Sequence, residues 1–296
     1  MSQNVLVTGT SSGFGRLTAL TLARRGHRVF AGMRDTTGRR SEAAASLRQA
    51  GEEIAGGGGG SITVVDLDVA SDASVQAAVA AVLEKAGHLD VVVNNAGVSA
   101  VGIEETLTTE QIERLFQVNV FGSHRVIRAA LPSMRARGKG LIVQVTSSAG
   151  RYVLPFMGAY SGSKAALESL LDAYRYELKP TGIECAIVQP GAFPTEFTKN
   201  GMFGADQERS RGYGPLEHGV EQMFGGLAEV FKGPNAPDPQ LVADAVVRLV
   251  ESPAGSRPDR VVVDPMTGQA VESLNQAHRA VQKALLAGMG MGALAE

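Results

Sequence analysis

The sequence has few of the residue types that build disulfide frameworks and metal centres. It contains one cysteine, five histidines and no tryptophan among 296 residues. A single thiol cannot close an internal disulfide, and histidines without a shared spacing argue against a catalytic metal site. The one cysteine, Cys185, lies within an apolar run, so we expect a buried and inert thiol.

A strong excess of charge and long hydrophobic runs are also missing. The formal net charge is −2 and no basic face stands out, which argues against a nucleic-acid partner. No apolar run reaches the ~18 residues that span a bilayer, so we expect no membrane partner. The first apolar run begins at Asn4, too early for a signal peptide, and we therefore expect a cytoplasmic protein.

The chain instead alternates short apolar runs with helical patterns. Runs rich in valine, isoleucine and leucine are typical of parallel strands that are buried on both faces. No linker rich in proline and serine divides the chain, so we predict a single domain over 1–296. The predicted fold is α/β, a doubly wound, Rossmann-type parallel sheet of about seven strands with helices on both faces. The predicted strands are residues 4–8, 28–32, 61–66, 90–94, 140–146, 183–189 and 260–264.

A tyrosine and a lysine four residues apart indicate acid–base chemistry. On a helix, Tyr160 and Lys164 share one face, which places an ammonium group beside a phenol. A positive charge favours the phenolate, so we expect a lowered pKa for Tyr160. Ser147 follows an apolar run and could hold a substrate oxygen there. The spacing to Tyr160 favours Ser147 over its neighbours Thr146 and Ser148.

A glycine-rich turn follows the first apolar run. Gly9, Gly13 and Gly15 stand between the predicted strand 4–8 and a helical pattern that includes Leu17. Strand, glycine turn and helix in this order form a cradle for phosphate, because glycines allow close backbone approach and a helix N-terminus favours an anion. The turn therefore predicts a dinucleotide cofactor.

These motifs together resemble the short-chain dehydrogenase/reductase family, over a stretch from Asn4 to about Asp264. The motifs are Thr8-Gly9-x-x-x-Gly13-x-Gly15, Asp68-Val69, Asn94-Asn95-Ala96-Gly97 and Pro190-Gly191-x-x-x-Thr195. The cofactor-binding residues that the resemblance implies are Gly9, Ser11, Ser12, Gly13, Phe14, Gly15, Arg34, Asp68, Val69, Asn95, Ala96, Gly97, Tyr160, Lys164, Pro190, Gly191 and Thr195.

The same resemblance implies a catalytic tetrad of Asn119, Ser147, Tyr160 and Lys164. Tyr160 would be the general acid when a carbonyl is reduced and the general base in the reverse direction. Lys164 would also hold the nicotinamide ribose, and Asn119 would anchor a water that relays protons. The alternative for Asn119 is a buried amide that satisfies backbone groups.

The residues after the second predicted strand favour NADP(H) over NAD(H). An acidic residue at the strand end would bind the ribose 2′-hydroxyl, but Met33 occupies that place and Arg34 follows it. Arginine binds phosphate through two parallel hydrogen bonds, and the arrangement resembles NADP-preferring, hydroxysteroid-type members of the family. Asp35 could pair with Arg34, act as an NAD-binding acid, or cap a helix over 36–40.

The implied activity is hydride transfer between a nicotinamide and a ketone, aldehyde or alcohol, on an apolar substrate. Residues 192–233 are expected to form a lid over the substrate. Predicted substrate contacts are Ser147, Tyr160, Phe156 and Phe193. The apolar lid residues are Phe193, Phe197, Met202, Phe203, Tyr213, Met223 and Phe224. Alternatives are a catalytically silent dinucleotide sensor or scaffold and an enoyl reductase on the same frame.

Two features concern assembly. Members of the family usually pair through two long helices, here about 111–137 and 159–178, so we expect a homodimer or homotetramer. Residues 265–296 form an additional C-terminal extension with helical spacing. It should cover the edge of the sheet or reach a neighbouring subunit. Its predicted apolar stripe is Val271, Leu274, His278, Val281 and Leu285.

Overall fold

The structure is a computed structural model, and it describes residues 2–196 and 201–295. Seven parallel strands form one sheet in the order β3-β2-β1-β4-β6-β7-β9. The strands are β1 (Asn4–Thr8), β2 (Arg28–Met33), β3 (Ser61–Asp66), β4 (Val91–Asn94), β5 (Ala100–Val101), β6 (Gly140–Val145), β7 (Ile183–Pro190), β8 (Met202–Phe203) and β9 (Arg260–Val263). The seven predicted strands are confirmed, each end within one residue of its predicted position. The fold is a single Rossmann-type domain.

Helices cover both faces of the sheet. They are α1 (Gly13–Arg24), α2 (Ser41–Gly56), α3 (Asp72–Ala86), α4 (Thr109–Phe116), α5 (Ser123–Arg137), α6 (Gly158–Leu178), α7 (Gln207–Ser210), α8 (Gly219–Lys232), α9 (Gln240–Glu251) and α10 (Gly268–Gly288). Apolar side chains of α1, α2 and α9 bury one face of the sheet, and those of α3, α5 and α6 bury the other. Strands enclosed in this way need apolar residues at every position, which explains their continuous apolar runs. Cys185 is buried in β7 as predicted, and burial raises the pKa of its thiol to about 12.

The predicted helix over 111–137 contains a break in its hydrogen-bond ladder. A π-helical segment, Gln117–Gly122, joins α4 to α5 and carries Asn119. Asn119 is completely buried. Such π-helical insertions occur mostly as single turns within α-helices and often at functional sites.

The lid region forms its own small structure above the sheet. Strand β8 pairs in parallel with β5 in a two-stranded sheet that was not predicted, and α7 and α8 follow. Each of these strands has two residues, which is too short for a recognisable pattern. Phe197, one of the apolar residues named for the lid, lies outside the described residues.

The C-terminal extension contains the predicted helix, α10, which packs against β9 at the edge of the sheet. The predicted apolar stripe is only partly correct. Val271 is buried, but Leu274, Val281 and Leu285 are exposed, by 42%, 60% and 57%. Among residues 2–196 and 201–295, no helix is both long and apolar enough to cross a membrane.

Candidate active site

Most of the predicted site residues meet in one cleft of about 790 Å³, above the carboxyl ends of the central strands. Parallel strands bring the residues that follow them to the same edge of the sheet, and the crevice there is the usual ligand site of this fold. All the predicted cofactor-binding residues line the cleft except Gly15, which packs beneath it.

Tyr160, Ser147 and Lys164 lie side by side in the cleft wall. Helix α6 begins at Gly158, so Tyr160 and Lys164 occupy successive turns of one face. The Lys164 ammonium lies 5.7 Å from the centre of the Tyr160 ring. The Tyr160 hydroxyl forms a hydrogen bond with the Ser147 side chain. Ser147 Oγ also accepts from Ala149 N at 3.1 Å and donates to Pro190 O at 3.4 Å.

The expected lowering of the tyrosine pKa is wrong for this structure. Burial raises the pKa of Tyr160 to about 12, and the hydrogen bond with Ser147 opposes that shift only in part. The physical reason is the loss of water around a phenol that is 5% exposed, because burial disfavours the charged phenolate. At neutral pH the hydroxyl is therefore protonated and can donate a proton.

Lys164 is buried as well, with 4% of its surface exposed. Burial lowers the pKa of its ammonium to about 8, and the charge of Glu168 acts in the opposite direction. Its Nζ donates to Val145 O at 3.4 Å. Lys164 thus stays positively charged at neutral pH and loses this charge as the pH rises through about 8.

Asn119 lies behind the cleft and does not line it. Its Nδ2 donates to Val98 O and to Ser163 Oγ, both at 3.0 Å, and its Oδ1 accepts from Val98 N at 2.8 Å. The side chain therefore satisfies backbone groups, as the alternative interpretation has it. A Cβ on Gly97 would lie 3.4 Å from both Asn119 Oδ1 and Lys164 Nζ, so Asn119 packs next to the lysine across this glycine.

The glycine turn after β1 fits a phosphate group. Gly9 has a φ of 72°, and a Cβ there would lie 2.8 Å from Ala96 Cα. A Cβ on Gly15 would lie 2.3 Å from Gly9 O, so both positions require glycine. Among the described residues, no side chain caps α1 at Ser12, which leaves the helix N-terminus available to an anion.

The ends of β1 and β4 are locked together beneath this turn. Thr8 Oγ1 accepts from Asn95 N and Ala96 N, each at 3.0 Å. Asn95 Nδ2 donates to Thr8 O at 2.9 Å and to Gly9 O at 3.2 Å. These bonds fix the position of the glycine turn relative to the loop after β4.

Two arginines border the cleft after β2. Arg34 was predicted, and Arg40, which sequence analysis missed, joins it from the turn before α2. Asp35 has a φ of 57°, and its Oδ2 accepts from Arg39 N at 3.0 Å and Arg39 Nε at 3.1 Å. Of the interpretations left open, the structure supports a capping role for Asp35, in a turn and not in a helix. Its carboxylate is not among the groups lining the cleft.

The opposite wall of the cleft is apolar and belongs mainly to α8. Phe193 lines the cleft but is 7% exposed, and it packs edge-on against Phe14 with ring centres 5.5 Å apart. Phe156, predicted as a substrate contact, does not line the cleft. Its φ of 69° accompanies a ring packed on Gly219, at the start of α8. The α8 residues in the lining are Gln222, Met223, Phe224, Gly226, Leu227, Val230 and Phe231.

The C-terminal extension also enters the cleft, which sequence analysis missed. Asp264, Met266 and Thr267 form part of the wall. Asp264 Oδ1 accepts from the backbone nitrogens of Met266 and Thr267, both at 2.9 Å, and Tyr152 Oη lies 3.0 Å from Thr267 Oγ1. The signal available in the sequence was the Asp264-Pro265 pair at the end of the last predicted strand.

Comparison with known proteins gives a consistent result. Residues 3–202 match the family model for short chain dehydrogenases. The chain is 31% identical over 271 residues to human retinol dehydrogenase 8, covering 90% of this chain and 84% of that protein. It is 35% identical over 198 residues to a 3-ketodihydrosphingosine reductase of Bacteroides thetaiotaomicron. That alignment covers 67% of this chain and 66% of the relative, just under two thirds of its length.

Solved structures share the whole architecture. A short-chain dehydrogenase from Streptomyces avermitilis superposes with a TM-score of 0.74 at 31% identity, over 97% of this chain and 96% of that one. An alcohol dehydrogenase from Thermococcus sibiricus, in complex with 5-hydroxy-NADP, has a TM-score of 0.69 at 26% identity, over 89% of this chain and 96% of that one.

Proposed function

This chain belongs to the short-chain dehydrogenase family of oxidoreductases, and we propose that it interconverts a ketone or aldehyde and an alcohol with NADP(H). The observation that carries the proposal is the buried Tyr160 hydroxyl. It is hydrogen-bonded to Ser147 and lies one helical turn from Lys164, in the same cleft as the glycine turn. A silent dinucleotide sensor would have no need for this arrangement.

The proton chemistry follows from the two pKa values. With a pKa of about 12, Tyr160 is a neutral donor at pH 7, which suits proton delivery to a carbonyl oxygen. Ser147 would orient that oxygen and stabilise charge that develops on it. Lys164 would stabilise the phenolate left after the transfer, since its ammonium remains charged below about pH 8. When bound, the reduced nicotinamide would supply the hydride.

Arg34 and Arg40 support the preference for NADP(H). Both border the cleft after β2, whereas the nearby acid, Asp35, is held by Arg39. Guanidinium groups favour a 2′-phosphate, and a free acid would oppose it. The glycine turn and the N-terminus of α1 would hold the pyrophosphate.

The substrate we propose carries its oxygen function on a long apolar skeleton. The names of two relatives refer to retinol and to 3-ketodihydrosphingosine, which share that chemistry. In this chain, the wall formed by α8 presents mainly apolar side chains to the cleft, among them Met223, Phe224, Leu227 and Phe231. An apolar wall with a few polar groups at one end is the usual design of such pockets.

The test is NADPH oxidation across a panel of alkyl ketones of increasing length, polyene aldehydes, aromatic ketones and sugar ketones as polar controls. We expect kcat/KM to rise by about fourfold for each added methylene, the equivalent of ~0.8 kcal/mol. Folded protein that binds NADPH but reduces none of the panel would favour the silent sensor instead.

A further inference from the structure

Glu168 is a buried carboxylate that lies one turn beyond Lys164 on α6 and outside the cleft. It is 2% exposed. Its Oε1 accepts hydrogen bonds from Thr146 Oγ1 and Gln189 Nε2, each at 2.8 Å. A buried carboxylate destabilises a fold unless it is hydrogen-bonded or paired with a cation. The positions of its partners therefore indicate what Glu168 does.

Both hydrogen-bond donors stand next to residues of the candidate site. Thr146 precedes Ser147 at the end of β6, and Gln189 precedes Pro190 at the end of β7. Ser147 Oγ in turn donates to Pro190 O. One carboxylate oxygen therefore ties together the two strand ends that carry the serine and the predicted nicotinamide-side motif.

The second oxygen lies near two arginines from other parts of the fold. Arg151, after β6, and Arg260, on β9, approach Glu168 Oε2 at 3.7 Å and 3.6 Å. The charge of Glu168 also acts on His278 of α10, where it opposes the lowering of the imidazole pKa by burial. On α6 itself, Asp172 binds Arg260 through Oδ2 at 2.5 Å, and Glu168 is the acidic group that opposes the loss of charge at Lys164.

The C-terminal extension contributes to the same cluster. Asn275 of α10 is buried, and its Nδ2 donates to Gln189 Oε1 at 2.7 Å. Gln189 thus bridges α10 and Glu168. Residue 275 lies beyond the region 3–202 that matches the family model, so the extension supports the candidate site from behind.

We propose that Glu168 is a positioning residue of the active centre, which holds the ends of β6 and β7 together and places a negative charge one helical turn from the Lys164 ammonium. The inference rests on the proposed function, because it assigns Lys164 a role in that reaction. Glu168 touches neither the cleft nor a reacting atom, so it would act entirely through Lys164, Thr146 and Gln189.

The experiment compares Glu168→Gln with the wild-type protein across pH 6–10, with two readouts. One is kcat for carbonyl reduction, and the other is NADPH affinity from cofactor fluorescence, which needs no turnover. For both readouts we expect the midpoint of the alkaline loss to fall by about one to two pH units, the effect of removing a nearby buried charge. An unchanged midpoint in the folded variant would overturn the proposal.

Asp172→Asn is the matched control, because it removes a carboxylate from the same cluster one turn farther from Lys164. We expect it to lower stability and leave the alkaline midpoint unchanged. If it lowers the midpoint as much as Glu168→Gln, the effect is a general loss of charge and the proposal fails.

Arg151→Gln covers the case in which Glu168→Gln does not fold. It removes a cation that partly neutralises Glu168, so the midpoint should move upward by up to about one pH unit, and no shift would contradict the proposal.

Failure of the proposed function has a different signature. Reduction would then be absent in every variant, while the pH dependence of NADPH binding would still report on Glu168.

Discussion

Lys164 and Tyr160 are both buried, and burial moves their pKa values in opposite directions, to about 8 and about 12. The protein thus holds a neutral proton donor beside a charged lysine at neutral pH. Burying that charge is unfavourable, and the cost is tolerated where it serves a site. The cost of burying the lysine can be measured as a change in the free energy of unfolding.

Replacing Lys164 by methionine should stabilise the protein while it damages the reaction. A pKa lowered from 10.5 to about 8 corresponds to at most ~3 kcal/mol, and we expect a gain of about 1–3 kcal/mol at pH 7. Between pH 8 and 10.5 the unfolded wild-type chain binds more protons than the folded one, so wild-type stability rises with pH there. Urea unfolding of both proteins should therefore show the gain shrinking above pH 8. A destabilised variant would contradict this.

Arg34→Ala and Arg40→Ala should each narrow the preference for NADPH over NADH by one to two orders of magnitude. That range corresponds to ~1.5–3 kcal/mol, the contribution of a hydrogen bond to a charged group. The measurement is kcat/KM with each cofactor. Arg48→Ala is the control, since Arg48 is exposed on α2 and does not line the cleft. Equal efficiency of the wild type with both cofactors would refute the assignment.

The sequence predicts the place of some cleft residues and not of others. Ser147, Tyr160 and Lys164 could be found because strand ends and helical spacing are local. Arg40 enters the cleft only through the turn stabilised by Asp35, whose left-handed conformation no pattern indicated. Phe156, expected at the substrate, does not line the cleft, and the positive φ that accompanies its position is likewise a property of the folded loop.

At the scale of elements, the seven long strands were predictable because burial on both faces demands continuous apolar runs. Strands β5 and β8 pair across about 100 residues of sequence and have no such run. The π-helical segment was indicated only by an asparagine in a helical stretch. Its ladder is set by the tertiary contacts of Asn119 with Val98 and Ser163.

Helix α8 is positioned by a close contact that one methyl group would break. A Cβ on Gly219 would lie 2.2 Å from Phe156 Cζ, so Gly219→Ala should displace the start of α8 and its apolar wall. We expect KM for an apolar substrate to rise severalfold with NADPH affinity unchanged.

Gly225→Ala lies on the same helix with no atom within 4 Å of the added group. This control should keep the wild-type KM and gain roughly 0.5–1 kcal/mol of stability, as alanine does in a helix interior. If Gly219→Ala also kept the wild-type KM, α8 would have no role in substrate binding.

At the scale of the whole molecule, two of the helices expose apolar side chains that bear on assembly. On α6 and the neighbouring π-helical segment, Leu170 and Phe121 are exposed by 39% and 45%. On α10, Leu274, Val281 and Leu285 face away from the sheet. Exposed apolar patches commonly mark interfaces between subunits, so these helices are where we expect the contacts of a homodimer or homotetramer.

We expect Leu170→Glu to produce monomers, because a carboxylate would be buried without a partner at the α6 interface. Light scattering measures the mass. Leu241→Glu is the matched control, since Leu241 is similarly exposed, by 43%, but lies on α9, which packs on the other face of the sheet. The control should keep the wild-type mass. A wild-type monomer would refute the expected oligomer, and a Leu170 variant with unchanged mass would place the interface elsewhere.

Deleting 269–296 separates the roles of the extension. Because α10 packs on β9 and binds Gln189 through Asn275, the truncated protein should be less stable. A gain in mass would mean that α10 covers an edge, and a fall in mass would mean that it bridges subunits. Unchanged mass and unchanged stability would mean that the extension has neither role.

The central claim, that Tyr160 delivers the proton in a reduction, is tested most directly by Tyr160→Phe. The change removes one hydroxyl and keeps the ring packed in its place. Single-turnover reduction of the best carbonyl in the panel should slow by about 10²–10⁴-fold, with the NADPH dissociation constant within a factor of two or so of the wild type. A variant that binds NADPH normally and keeps more than about a tenth of the wild-type rate would contradict the account.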